Sequence, residues 1–504
     1  TKVKGNFGSL STLSTSVITG GMIGNNGFVA GGKYYQTDGY IQAIEDQPYY
    51  VENERSDISV LGKYYATIDD RSSLSVGVNY VNEDYSRGIL LTDQVNRNTR
   101  LTAIYERELS NGMNLTLSGY ILAQWREVSL SARPAYDTHD HTETDQSNKY
   151  GQLLHIDYPI NDRHLVSFGF DSSITYMEKE NDYVAAREAS AEGNQLLASL
   201  FAQDEMSFTH GNHKLTFTPG LRIDYSQSSD GKSIDTAPGF RHSAVDLEYE
   251  DRSWSAINPK LSLVDRWGDN TTLRASVGRS FAAPTLFELY TVFSRGPSLL
   301  YGNPELDPER AWSAEIGVDH QATKDILLRF ATYYTRSKDF ISYRSLSATE
   351  SQADNITGVK VIGSDAEMAW AFMHGWELNL AYSYNRSTVT EDETDSGLEG
   401  NFLPFVPRHK ANLGLSVQAF RNIKINLNAR YEGERYGDDT NTEANIKTDY
   451  VSLDLGLSGD INKRLGWSLS FENLLDDNYD VYSVPPVPAE APGLLVNGSL
   501  SYTF

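Results

Sequence analysis

The chain has 504 residues and a formal net charge of −25, so general affinity for a phosphate backbone, which needs clustered Lys and Arg, is excluded and no nucleic-acid partner is expected. It has no Cys, which removes disulfide frameworks, thiolate catalysis and Cys-ligated metal centres. Only 39% of residues are hydrophobic, yet 31 Tyr, 19 Phe and 7 Trp accompany 39 Gly; this mixture favours strands, and no apolar run reaches the roughly 18 residues of a membrane-spanning helix.

In chain order, period-two alternation predicts strands near 2–9, 12–22, 27–40, 56–68, 74–86, 97–109, 114–130, 149–159, 165–180, 194–208 and 214–227. The second half continues near 253–266, 271–281, 312–321, 326–343, 355–372, 376–390, 410–418, 423–435, 449–459, 465–475 and 494–504. The rule is plain at the end of the chain, where Leu494, Val496, Gly498, Leu500, Tyr502 and Phe504 alternate with Asn497, Ser499, Ser501 and Thr503. It recurs where Trp376, Leu378, Leu380, Tyr382 and Tyr384 oppose Glu377, Asn379, Ala381 and Ser383, and where Phe217, Leu221 and Ile223 oppose Arg222 and Asp224.

Tight polar turns such as Asp69-Asp70-Arg71-Ser72, Asn161-Asp162-Arg163-His164 and Ile461-Asn462-Lys463-Arg464 alternate with long acidic loops. A soluble sandwich would bury its apolar faces in pairs over one or two hundred residues, whereas here the pattern runs the whole length. The sequence therefore predicts an all-β fold: a transmembrane antiparallel β-barrel of 22 strands, with short periplasmic turns, long extracellular loops and both ends periplasmic. No linker divides residues 1–504, so one domain is expected. The expected location is the outer membrane of a Gram-negative bacterium, with outer-membrane lipid and lipopolysaccharide as neighbours.

Three features carry candidate chemistry. Residues 136–145 hold Tyr136, Asp137, His139, Asp140, His141, Glu143 and Asp145 in what reads as an extracellular loop. Asp137, His139 and His141 are the metal candidates, with calcium or a transition metal as the ion, because carboxylate oxygens suit the first and imidazoles the second; a solvated acidic loop is the plainer alternative. Other acidic loops (Glu391, Asp392, Glu393 and Asp395; Asp438, Asp439 and Glu443; Asp246, Glu248, Glu250 and Asp251) would focus a cationic or metal-bearing ligand, or simply keep the loops soluble. The loop between Ala282 and Arg310 offers Tyr290, Phe293, Arg295 and Tyr301, and these four with Tyr136 are the expected ligand-binding residues, suited to stacking on a planar or catecholate ligand. Tyr34, Tyr35, Tyr333, Tyr334, Tyr479 and Tyr482 are expected in the interfacial girdles. With no Gly-x-Ser-x-Gly elbow and no Cys, no catalytic residue is expected and the chain is not read as an enzyme. No cofactor is called for beyond a divalent cation, calcium or a transition metal, in the extracellular loops.

Several boxes in order resemble the TonB-dependent outer-membrane receptor family: Tyr34 to Tyr40 (YYQTDGY), Asn258 to Leu263 (NPKLSL), Leu273 to Tyr290 (LRASVGRSFAAPTLFELY), Gly302 to Arg310 (GNPELDPER), Val406 to Lys410 (VPRHK), Phe471 to Asp476 (FENLLD) and the terminal Tyr502-Thr503-Phe504. The resemblance covers the whole chain as a barrel and is nearest to the colicin I receptor and cobalamin transporter branch. It implies import of a scarce metal chelate, siderophore-like or cobalamin-like, driven by TonB through a plug domain. Thr1 to Ser9 already reads as the first barrel strand, so no plug and no TonB-binding box are expected in this chain; the plug would be removed or supplied separately. A plugless barrel serving as scaffold or conduit around another protein is the alternative. In haem receptors of the family a His is expected between Ala282 and Arg310, and its absence here argues against haem.

Overall fold

A strand whose alternate residues are apolar needs a surface for each face, and closing the sheet on itself supplies both, with lipid outside and water inside. The computed structural model describes residues 1–504 except 43–46, 133–134, 237–244, 296–297, 348–349, 393–394, 421 and 482–488; the side chains of 245, 293–295, 298–299, 345, 357, 481 and 489 are also outside the description. Among the described residues, 22 strands form the wall. The first eleven are β1 (Lys2–Gly8), β2 (Thr12–Ile23), β3 (Asn26–Thr37), β4 (Arg55–Asp69), β5 (Ser72–Ile89), β6 (Thr92–Glu108), β7 (Asn114–Ser131), β8 (His139–Asn161), β9 (His164–Tyr183), β10 (Glu188–His210) and β11 (His213–Asp235). The rest are β12 (Arg252–Trp267), β13 (Thr271–Ala282), β14 (Glu309–Thr323), β15 (Ile326–Ser347), β16 (Glu350–Met373), β17 (Trp376–Glu391), β18 (His409–Phe420), β19 (Ile423–Glu432), β20 (Tyr450–Asp460), β21 (Leu465–Glu472) and β22 (Leu495–Thr503). Each pairs antiparallel with its chain neighbours, and the seam closes with Lys2 opposite Thr503 and Gly5 opposite Leu500.

The alternation sets the facing. Leu221 and Ile223 are 45% and 46% exposed on the outside, while Ser226 on the opposite face of the same strand is fully covered. Arg222 points inward and joins a polar network across the wall: its Nη1 donates to Asp171 at 2.8 Å, its Nε to Asp224 at 2.7 Å, and Asn258 donates to Asp224 at 2.6 Å. At the end bearing both termini the β16–β17 turn uses left-handed backbone, which Gly375, with φ +76° between Met373 and Trp376, supplies. The other end carries the long connections.

Aromatic residues mark the lipid band. At the short-turn rim Trp370 and Phe372 lie 5.3 Å apart and Phe372 and Trp376 5.8 Å apart. On β17 the outward row then runs Leu378, Leu380, Tyr382 and Tyr384, so Trp376 to Tyr384 matches the roughly 9–11 residues a tilted strand needs to cross. Strands as long as β8, β10, β11 and β16 therefore rise well beyond the bilayer.

That height corrects several sequence expectations. The segment read as a loop before residue 149 is strand, because β8 begins at His139 and pairs with both β7 and β9 up to His141. Neighbouring tyrosines also cannot share a girdle, since successive side chains on a strand point to opposite faces. Tyr34 and Tyr334 are outside, but Tyr333 is inside, its ring over Gly363 and its hydroxyl accepting from Asn385 Nδ2 at 3.2 Å. Tyr35 lies beneath the Lys33 ammonium, and Tyr479 stacks on Tyr450 at 3.9 Å in the loop region. Tyr482 lies outside the described residues.

Candidate ligand-binding vestibule

The connection between β13 and β14 is not plain loop. Thr285 and Glu288 form a reciprocal capping box that starts a short helix, α1 (Leu286–Tyr290). Two short antiparallel segments follow, Val292–Arg295 and Ser298–Tyr301, and the second adds in parallel to β16 with Tyr301 opposite Gln352. The connection is held to the wall by polar anchors: Gln195 Nε2 donates to Pro284 O at 2.7 Å, Arg252 Nη1 to Pro304 O at 2.7 Å, and the Ser233 hydroxyl to Tyr290 O. Between the anchors lies an apolar cluster of Trp254, Leu286, Leu289, Tyr290, Leu306 and Ala353, with Met177 and Tyr249 against it.

This cluster decides the role of Tyr290. Its ring is 3% exposed, stacked on Tyr249 at 5.3 Å and seated on Gly193 and Gly231. A Cβ at those glycines would lie 2.7 and 2.4 Å from ring atoms, so the missing side chains are what let the loop lie down. Tyr290 therefore packs the connection against the wall instead of presenting its face to a ligand. Tyr301 is half-buried and donates its hydroxyl to Glu350 Oε1 at 3.4 Å; burial and the Glu350 charge push its pKa up to about 12. The side chains of Phe293 and Arg295 lie outside the described residues.

Tyr136 joins a group that sequence reading missed. Its ring lies 4.7 Å from Tyr49, which lies 4.7 Å from Tyr50, so two loops on the long-loop side present three half-buried tyrosines together. The adjacent Tyr49-Tyr50 pair was the available signal, but nothing local says that it meets Tyr136.

The metal candidates do not converge. Asp137 is exposed, and His139 contacts Thr142 Oγ1 at 3.2 Å. His141 is buried, stacked on Tyr183 at 4.3 Å, with Nδ1 2.8 Å from Asp140 and Nε2 3.6 Å from Glu143. Among the described residues no three His, Asp or Glu side chains are gathered to hold a metal. Because the segment is strand, alternation sends His141, Glu143 and Asp145 into the wall's polar network. There Lys179 Nζ donates to Glu143 and Asp145 at 3.1 Å each, and Arg126 Nε to Asp145 at 2.6 Å. Burial alone would raise the Glu143 pKa, but His141 and the Lys179 and Arg126 cations outweigh it and hold the carboxyl at about 2. The chain continues through Tyr183, under the Arg187 guanidinium at 4.3 Å, to the bidentate Arg187–Asp235 pair at 2.6 and 3.0 Å. This places a ladder of paired charges across β7 to β11 above the lipid band.

The comparisons agree with this architecture. The model of the family described as TonB dependent receptor-like, beta-barrel matches residues 34–474. The pesticin receptor of Yersinia enterocolitica is 28% identical over 34% of this chain and 25% of its own length. The ferric enterobactin receptor of Pseudomonas aeruginosa is 24% identical over 58% of this chain and 39% of its own, so the chain spans well under half of these relatives. In fold it resembles the copper transporter OprC, with a TM-score of 0.83 at 13% identity over all of this chain and 80% of the other. The ferric yersiniabactin uptake receptor FyuA of Yersinia pestis gives 0.79 at 14%, over all of this chain and 79% of the other. The chain belongs to the TonB-dependent receptor-like β-barrel family and is an outer-membrane protein.

Proposed function

We propose that this chain is the translocation barrel of a TonB-dependent importer of a scarce metal chelate, siderophore-like before cobalamin-like, and that a plug domain, on the same polypeptide or another, closes its lumen and takes the pull of TonB. The carrying observation is the match of residues 34–474 to the receptor barrel family, supported by relatives named for pesticin and ferric enterobactin. The colicin I receptor and cobalamin likeness stays part of this proposal. A 22-strand lumen is too wide for side chains to fill, so something must occlude it. The tyrosines Tyr49, Tyr50 and Tyr136 offer faces on which a planar catecholate can stack.

The test is uptake of a radio-iron tris-catecholate complex by a receptor-deficient, TonB-competent host that expresses the chain together with a plug domain. Energised uptake is expected, and Tyr49→Ala/Tyr136→Ala should weaken ferric catecholate binding about tenfold, the equivalent of roughly 1.4 kcal/mol. Absence of uptake, or uptake and binding untouched by the double substitution in a folded barrel, would overturn the reading.

A further inference from the structure

The outer wall carries a feature that transport does not use. Along one outward row the register sets Phe330 beside Ala366, Ala366 beside Tyr382, Tyr382 beside Ala411, and Ala411 beside Tyr431. Small residues between large ones leave a depression. Ala366, Ala411 and Ala429, between Leu380, Tyr382 and Tyr431, line an apolar groove of about 600 Å³ that opens to the outside within the lipid band.

Directly above it the chemistry changes. The Tyr382 hydroxyl meets His409 Nδ1 at 2.8 Å, and two outward rows beyond Tyr382 Arg386 lies on the same face, opposite Ile362. The β17–β18 connection folds back so that Phe402 bridges to Thr388. Its ring is flanked by two guanidinium groups, Arg386 at 5.9 Å and Arg408 at 5.1 Å from the centroid, with Tyr436 stacked at 5.9 Å. Both arginines are exposed, and among the described residues neither forms an ion pair. In a chain of net charge −25, two exposed cations beside one aromatic ring, with no ion-pair partner among the described residues, are suited to meeting an anion. A guanidinium beside an aromatic ring keeps N–H donors with which to make charge-assisted hydrogen bonds to phosphate.

We infer that this wall is a binding site for a phosphorylated, multi-acyl glycolipid of the outer leaflet, lipid A: an acyl chain occupies the Ala366–Ala411–Ala429 groove and a glucosamine phosphate lies against Arg386 and Arg408. Charge complementarity argues for phosphate, and the position of Arg386 beyond the groove on the same outward face of β17 argues for an acyl chain on the same molecule. The inference rests on the outer-membrane location and not on chelate import, so either can fail alone.

Native mass spectrometry of the detergent-purified barrel, titrated with bis-phosphorylated lipid A, dephosphorylated lipid A or phosphatidylglycerol, tests it. The unaltered chain should hold bis-phosphorylated lipid A, and Arg386→Gln/Arg408→Gln should weaken binding by roughly tenfold or more, as loss of charge-assisted contacts to phosphate requires. Ala411→Trp, which fills the groove and leaves the charges alone, should weaken it similarly; heat-modifiable gel migration confirms that each variant is folded. Equal binding of the dephosphorylated form, equal binding of phosphatidylglycerol, or full binding by the folded variants would each overturn the site.

Discussion

At the scale of single residues, the Lys179 ladder makes the sharpest prediction. A buried cation between two carboxylates cannot be removed without leaving charge uncompensated, so Lys179→Met should lower the unfolding free energy by roughly 3 kcal/mol at neutral pH. The pH dependence follows from Glu143, whose folded pKa of about 2 lies below its ordinary 4.5. A depressed carboxyl contributes stability that is fully present above the unfolded value and is lost as pH falls through the folded one. The wild-type contribution should therefore fade between about pH 4.5 and pH 2, and the Lys179→Met deficit should shrink across the same window; urea titrations into bilayers at pH 7 and pH 3 measure both. Residue types were legible here but partners were not. The sequence places His141 beside Asp140, yet its stacking on Tyr183 and the approach of Lys179 to Glu143 depend on the register between β8 and β9. Tyr290 shows the same limit: an aromatic in a loop reads as a contact surface until Gly193 and Gly231 are seen to make its seat.

At the scale of elements, the facing of β17 is the thing to break. Leu380 lies in the lipid band and Asn379 faces the lumen, where its Nδ2 donates to Glu377 at 3.0 Å. Leu380→Arg should cost roughly 2–4 kcal/mol in folding into bilayers, and Asn379→Arg close to nothing; equal cost for the two would reverse the assignment. Strand identity and number were readable because lipid on one side and water on the other impose period two. Strand ends were less so, because above the bilayer the outer face no longer needs to be apolar. The polar run from His139 to Asn148 continues β8 without any hydrophobic alternation to announce it. The helix α1 was signalled by Thr285 and Glu288, a capping box hidden in a segment otherwise read as a binding loop.

At the scale of the whole molecule, the wall is a wide cylinder whose inner surface is polar and charged. Reconstituted in planar bilayers without any plug, the 504-residue chain should conduct in large, weakly gated steps, and a plug domain added in trans should suppress them. Small or absent steps from a demonstrably folded barrel would mean that its own connections already occlude the lumen. The β13–β14 connection, pinned to the wall from β10 to β16, is the one to delete in that case.

The seam has a kinetic consequence. Lys2 pairs with Thr503 and Gly8 with Asn497, so the ladder that seals the cylinder joins the first and last wall strands, while among the described residues every other ladder between wall strands joins strands consecutive in the chain. Local hairpins can form as soon as their residues are available, but the last ladder must wait for loop closure over nearly the whole barrel. Until then β1 and β22 each present an unpaired edge. Assembly is therefore zipper-like with a late latch, and weakening that latch should slow completion of the barrel far more than an equal loss of pairing within any internal hairpin.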